Sequence, residues 1–263
     1  MTTCSELSIA LGEPLHATAP YAPVWLLVEV ASAWARKAVR EAGLGELEQR
    51  AKEHGVRVGL IRRYGRRRTS ETPRTVLVAR CAEPSLERLE LTDADLQELD
   101  PAGLPRGEPV PRPLYLVCTN GRRDACCGRT GAAVARALDR ELGDRLWETT
   151  HVGGHRFAAN LVALPHGLVY GRLDPQRAVR VVQAHERGLI VLEHLRGRTT
   201  RTQEEQAVEH FVREHEGLER VDADLTGRTR ARVQPTDLDP PRPTSCGGEP
   251  ERPRAWLPAK PKP

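Results

Sequence analysis

Leu114-Tyr-Leu-Val-Cys118 is followed, after a turn-rich interval, by Thr130-Gly-Ala-Ala-Val-Ala-Arg-Ala-Leu-Asp-Arg-Glu-Leu142 and then by Leu146-Trp-Glu-Thr-Thr-His151. The first stretch is a continuous apolar run of strand length. The second puts Val134, Leu138 and Leu142 on one helical face, and Gly143 closes it. The third reads as another strand. Strand, helix, strand in this order is a parallel βαβ unit. Leu161–Leu164 and Leu168–Leu173 then flank Pro165-His-Gly167 as a hairpin. Asp174-Pro175 opens a helix to about Gly188, with Asp as the cap and Pro at the first helical position.

Working back toward the N-terminus, the same order is met once more. Val24–Val30 is an apolar strand, and Ser32 can cap a helix over residues 33–54, with Trp34, Ala38, Val39 and Ala42 on one face. Gly43 and Gly45 split that helix and Gly55 stops it. Val56–Ile61, Thr75–Ala79 and Leu86–Leu91 are strands, and Thr92-Asp-Ala-Asp-Leu96 opens a short helix. Trp25 would then sit where Tyr115 sits. The order fits the thioredoxin fold, so the expected architecture is α/β, with two related half-domains, each a mixed sheet with flanking helices. A Pro/Gly-rich linker, Pro101–Pro113, divides residues 1–105, the half without metal ligands, from residues 106–216. Leu189–Leu195 reads as an added strand, and Thr202-Gln-Glu-Glu205 is a capping box opening a helix to about His215. Residues 217–263 form a Pro/Arg-rich extension with a short strand or two, Cys246 in a loop and a frayed Pro-Lys-Pro end.

The chain has 263 residues, 39% hydrophobic and 29% charged, which suits a globular protein with a real core. No apolar run is long enough to cross a bilayer, and the N-terminus lacks the features of an export signal, so a cytoplasmic location is expected. Six cysteines in a chain of that kind argue against a disulfide framework and for metal or redox chemistry. The net charge of +4 is mild. Arg62-Arg63 and Arg66–Arg68 form the densest basic run. It reads first as a solvated loop and second as a docking site for an acidic redox partner. Only Tyr64 is interleaved with these arginines, which argues against nucleic acid.

The chemistry-bearing residues fall between Cys118 and His155. Cys118 and Cys127 have eight residues between them, and a further 23 residues lead to His151-Val-Gly-Gly-His155. Cys118 ends a strand, and Gly121 and Gly128 let the loop to Cys127 fold back. Two glycines between the histidines let the backbone curl around a metal. Zinc accepts two Cys and two His, but its fingers space the cysteines two to four apart. An iron–sulfur cluster suits the wider loop. Rieske centres share the ligand types but alternate Cys and His within each loop, whereas here like ligands group together.

These residues carry a resemblance. Cys118-Thr-Asn-Gly-Arg-Arg-Asp-Ala-Cys-Cys127-Gly, His151-Val-Gly-Gly-His155-Arg-Phe-Ala-Ala-Asn160 and Tyr170-Gly-Arg172 are similar to the sucrase/ferredoxin-like family. Weaker matches are Glu13–Ala19, Trp25-Leu-Leu-Val-Glu29, Leu195-Arg-Gly-Arg198 and the tail around Cys246 and Trp256. The resemblance implies a thioredoxin-like ferredoxin fold for the second half. It also implies a [2Fe–2S] cluster held by Cys118, Cys127, His151 and His155, with Cys126 as a competitor for the place of Cys127. Thr119-Asn120-Gly121 stands where members often have Ser-His-Gly, a position no ligand needs. The implied function is electron transfer between donor and acceptor proteins that the sequence does not name. The alternatives are a zinc- or cluster-stabilised interaction module, a redox sensor, or a thiol enzyme using Cys126-Cys127, which lacks the Cys-x-x-Cys spacing. Arg123 and Asp124 resemble a family pair that would orient a ligand and offset cluster charge. Trp147, Asn160 and Arg172 are expected to serve packing and the hairpin. Glycoside hydrolysis is set aside, because it needs two positioned carboxylates and Asp124 is the only acid within the motif.

Overall fold

A computed structural model describes residues 3–65, 72–225 and 232–259. Its centre is one ten-stranded mixed sheet in the order β10-β9-β8-β6-β7-β2-β1-β3-β4-β5. The first half supplies β1 (Val24–Glu29), β2 (Val56–Arg63), β3 (Arg74–Arg80) and β4 (Ser85–Leu91), and the expected linker adds β5 (Glu108–Pro109), which pairs with β4. The second supplies β6 (Leu114–Cys118), β7 (Leu146–Thr149), β8 (Leu161–Leu164), β9 (Leu168–Tyr170) and β10 (Leu195–Arg198). β1 runs parallel to β2 and antiparallel to β3, and β6 runs parallel to β7 and antiparallel to β8. The two halves thus repeat one strand order, β2-β1-β3-β4 and β7-β6-β8-β9. They meet where β2 and β7 pair antiparallel, through Ile61↔Thr149, Arg62↔Glu148 and Arg63↔Trp147.

The helices are α1 (Cys4–Ala10), α2 (Gly45–Glu53), α3 (Asp93–Glu98), α4 (Ala125–Leu142), α5 (Pro175–Glu186) and α6 (Gln203–Glu216). Side-chain caps from Thr3, Thr92, Asp124, Asp174 and Thr202 start α1, α3, α4, α5 and α6. Alternation along the strands sorts the core. Leu26 and Val28 pack with Leu47 and Ala51 of α2, and Tyr115 and Val117 pack with residues of α4 and α5. The intervening residues Trp25, Leu27, Leu116 and Cys118 join a third cluster shared by both halves. The N-terminal segment contributes to it through Cys4, Ala19 and Ala22. Beyond α6 come two short ribbons, β11 (Val233–Asp237) with β14 (Arg254–Pro258) and β12 (Arg242–Pro243) with β13 (Pro250–Glu251).

Several expectations need correcting. Residues 33–37 are not helical: the Ala35 carbonyl accepts a hydrogen bond from Asn120 Nδ2 (3.3 Å), and the helical turns start at Ala38. A widened turn over Arg40–Leu44 leads into α2, with Gly43 in the left-handed region at φ 78°. Helix α4 starts five residues earlier than Thr130, so Cys126 and Cys127 stand in its first turn and not on a loop. Leu189–Val191 is not a sheet strand, because its backbone bonds run to residues 219–221 (Ile190 N to Glu219 O, 2.6 Å; Val221 N to Gly188 O, 2.8 Å). The added strand is β10, one step further on. Trp25 and Tyr115 are not counterparts, since one faces the shared cluster and the other faces α4 and α5. A slip of one residue reverses a strand's faces. Arg66–Arg68 and the Pro-Lys-Pro end lie outside the described residues.

Candidate metal centre

Cys118 is the last residue of β6, and its N–H donates to the Asn160 carbonyl (3.1 Å). The chain then turns at once. The Gly121 N–H donates to Thr119 O (2.8 Å), and the Asp124 N–H to Asn120 O (3.2 Å). The Asp124 carboxylate caps α4, its Oδ1 accepting from the Cys126 N–H (2.9 Å). The turn is tight enough to need glycine on both sides. A Cβ on Gly128 would stand 2.7 Å from the Gly121 Cα, and one on Gly131 would overlap the Cys118 carbonyl. This close approach carries Cys127 back to Cys118.

The two histidines follow β7. The seam with the first half anchors their approach: the Thr150 N–H donates to Leu60 O (3.0 Å), and the Leu60 N–H donates to Thr150 Oγ1 (3.0 Å). Arg57 of β2 donates to the His151 carbonyl (3.0 Å). Gly153 and Gly154 both take positive φ, at 89° and 66°, and a short helical turn over His155–Phe157 follows. Arg196, from β10, is fully buried beneath this loop. Its Nη1 donates to Gly153 O (2.9 Å) and to Asn160 Oδ1 (2.8 Å), while Asn160 Nδ2 donates to Gly154 O (3.1 Å).

Donor atoms of Cys118, Cys127 and His151 all lie within 4.8 Å of one another. His155 stands beside them, its ring centroid 4.8 Å from that of His151 at a tilt of 34°. Three of the four expected ligands therefore converge on one point, and the fourth adjoins it by one ring. The Nδ1 atoms of both histidines are buried and have no hydrogen-bond partner. A buried imidazole nitrogen without a partner carries a desolvation cost that a metal bond would remove. On this observation the donor set fits a metal group.

The electrostatics point the same way. The Cys118 thiol is held well below the usual cysteine value by its hydrogen bond with Cys127, against burial and with help from His151. Cys127 is pushed up by the same bond and by burial. Burial pushes His155 down to about 4, although Asp124 pulls the other way, so its imidazole is neutral near pH 7. Burial lowers Arg196 to about 9, with Cys127 and Cys118 opposing, which leaves a fixed positive charge near the thiols.

Cys126 does not compete for the place of Cys127. Its Sγ faces away from Cys118, toward Cys4 (3.6 Å) and Cys246 (3.3 Å). Asp124 lies 3.9 Å from His155 Nε2, and its Oδ2 accepts from the Cys246 N–H (3.0 Å). Asn160, expected to serve packing and the hairpin, holds the histidine loop. Arg196 lies in the Leu195-Arg-Gly-Arg198 match, although its role there has no sequence signal, and nothing marks Arg57 among so many arginines. Arg62 pairs with Glu148 (2.9 Å) and lies over Trp34, and Arg63 lies over Trp147 (3.8 Å), so both serve the seam. A cleft of about 810 Å³ reaches His151 and is lined by Arg36, Lys37, Arg40, Lys52, Arg57 and Arg123, with Glu48 as its acid.

An α/β protein with one large mixed sheet, flanking helices and a cysteine–histidine donor set beside its central seam is the class that fold and site define. Residues 15–197 match the model of the sucrase/ferredoxin-like family, and the chain belongs to that family. It is also similar to altered inheritance of mitochondria protein 32 of Meyerozyma guilliermondii, with 33% identity over 95 residues, covering 32% of this chain and 34% of the relative. The protein of that name in Debaryomyces hansenii is 28% identical over 83 residues, covering 28% of this chain and 30% of the relative. The chain thus spans about a third of the curated relatives it matches. No solved structure matches significantly. Among the described residues no helix is long and apolar enough to cross a membrane.

Proposed function

We propose that Cys118, Cys127, His151 and His155 hold a [2Fe–2S] cluster and that the protein transfers single electrons. The supporting observation is the convergence of Cys118, Cys127 and His151, with the His155 ring beside His151 and the Nδ1 atoms of both histidines buried and without a partner. When bound, such a cluster supplies a one-electron couple, and neutral imidazoles in place of thiolates make it less negative and easier to reduce. The chain's own residues do the rest. Cys118 and Cys127 offer sulfur from two rigid elements, a strand end and a helix start. Arg196 and Arg57 fix the carbonyls of Gly153 and His151 and so set the course of the loop carrying both rings. Arg196 also offsets negative charge gathered on the sulfurs. With Nδ1 of His155 given to a metal, Nε2 is the atom that holds or releases a proton. It lies near Asp124 on a side chain 14% exposed, within reach of solvent. Were a cluster bound, His155 Nε2 would be the atom at which a proton could be taken up as an electron is gained.

The cleft above His151 carries an excess of cations and suits an acidic redox partner. Six free thiols suit a reducing compartment such as the cytoplasm. A second reading, a zinc-stabilised interaction module, draws on the three donors that meet at one point. A redox titration of the anaerobically reconstituted protein against pH separates the two. A potential above the roughly −400 mV of plant-type ferredoxins, falling as pH rises, is expected. His155→Cys should lower the potential and flatten that slope. A redox-silent protein, or a slope unchanged in the variant, contradicts the proposal.

A further inference from the structure

Cys126 is left over by the site just described, and so are Cys4 and Cys246. These three come from distant parts of the chain: the first residue of α1, the first turn of α4 and the loop between β12 and β13. Their Sγ atoms form a triangle with sides of 3.6 Å (Cys4–Cys126), 3.3 Å (Cys126–Cys246) and 3.6 Å (Cys246–Cys4). No side is near the ~2.05 Å of a disulfide bond. A tetrahedral cation with ~2.3 Å bonds to sulfur would hold its thiolates ~3.8 Å apart, so the triangle is close to one face of such a tetrahedron. A cation ~2.3 Å from all three sulfurs would stand ~1 Å out of their plane.

The fourth direction has a candidate too. An Asp124 carboxylate oxygen lies within 4.8 Å of all three sulfurs. The same carboxylate accepts the backbone N–H groups of both Cys126 (2.9 Å) and Cys246 (3.0 Å), which ties two of the thiols to it. The Ser5 hydroxyl donates to Cys126 Sγ (3.2 Å), a contact that suits a thiolate. Simple core packing does not account for the group, because Cys246 is exposed. Access is open there and again through a cavity of about 240 Å³ that reaches Cys126 past Ser5, Arg129 and Arg172.

The geometry points to a second metal site in which Cys4, Cys126 and Cys246, with Asp124, bind zinc or a similar soft divalent cation. Cation binding displaces the thiol protons to solvent. It clamps α1 and the C-terminal extension onto the start of α4, the turn that also presents Cys127 to the first site. The site is distinct from the proposed cluster and stands whether or not that cluster exists.

The test uses the full chain, reduced, titrated with cobalt(II) and then with zinc(II) in competition with a chromophoric chelator. One cobalt per chain with thiolate-to-cobalt charge-transfer absorption is expected in Cys118→Ser/Cys127→Ser, where the other sulfur pair is gone. Cys246→Ser, a surface substitution that leaves the core intact, should weaken that binding by at least about a hundredfold, since loss of an outer-shell partner alone costs about 10–100-fold. Should the double variant not fold, the wild-type chain carries the test: zinc should protect Cys246 from alkylation, read by peptide mass mapping. Undiminished cobalt affinity in Cys246→Ser overturns the proposal. So does a folded double variant that takes up no cobalt, or Cys246 alkylated equally fast with and without zinc.

Discussion

Gly154 shows how narrow the tolerance is around the histidine loop. Its φ of 66° favours glycine, and a Cβ there would overlap the Arg196 guanidinium. Gly154→Ala should therefore cost about 1–3 kcal/mol in stability, for a strained backbone together with a displaced arginine. Urea unfolding of the metal-free chain measures this, and a midpoint within error of wild type would mean that the loop does not rest on Arg196 as described. At this scale the four candidate residues and their grouping were legible, because Cys and His at unusual spacing need no fold to be noticed. The partition of Cys126 from Cys127 was not. Adjacent residues in a helix point about 100° apart, and that divergence shows only once the helix is known to start at Ala125.

Element boundaries followed sequence where local chemistry was strong. Thr202 and Glu205 form the capping box that their spacing announces, and Asp174-Pro175 starts its helix. They failed where tertiary contacts intervened. Gly128 and Gly131 weaken helix propensity at the start of α4, yet the Asp124 cap and close packing on Cys118 and Gly121 install helix there. On α6, Glu209 is buried among Arg198 (2.9 Å), Arg201 (3.2 Å) and Arg213 (2.8 Å). Burial pushes its carboxyl up, but the three guanidinium groups pull it further down, so it stays below its usual value. A carboxyl depressed on folding adds stability that is fully present above its unfolded value of about 4.3 and is lost as pH falls through the folded value. Glu209→Gln should lose roughly 3–5 kcal/mol near neutrality, because it leaves buried cations uncompensated. It should also show a flatter decline of stability below about pH 4.3. Urea midpoints measured against pH for both chains test this, and parallel curves would remove the carboxylate from that role.

At the scale of the molecule, the repeated strand order was readable but the joining of the halves was not. No local pattern in Ile61–Arg63 or Trp147–Thr149 says that β2 and β7 will pair. Nor could any sequence rule bring Cys4 and Cys246 together across nearly the whole chain. The seam and the core cluster shared by Trp25, Leu27, Leu116 and Trp147 join the halves, which should unfold as one cooperative unit. Calorimetry should show a single unfolding transition of the metal-free protein, and two resolved transitions would mean that the halves are stable apart. That shared core also holds Cys118 and Cys127, so both halves support the proposed centre. The most direct test of that centre is iron, sulfide and paramagnetic-resonance analysis of anaerobically reconstituted chain, beside Cys118→Ser, Cys127→Ser, His151→Ala and His155→Ala. Two iron and two sulfide per wild-type chain, a signal on one-electron reduction, and loss or alteration of that signal in all four variants are expected. A colourless, iron-free wild-type protein, or a cluster unaffected by those four substitutions, would contradict it.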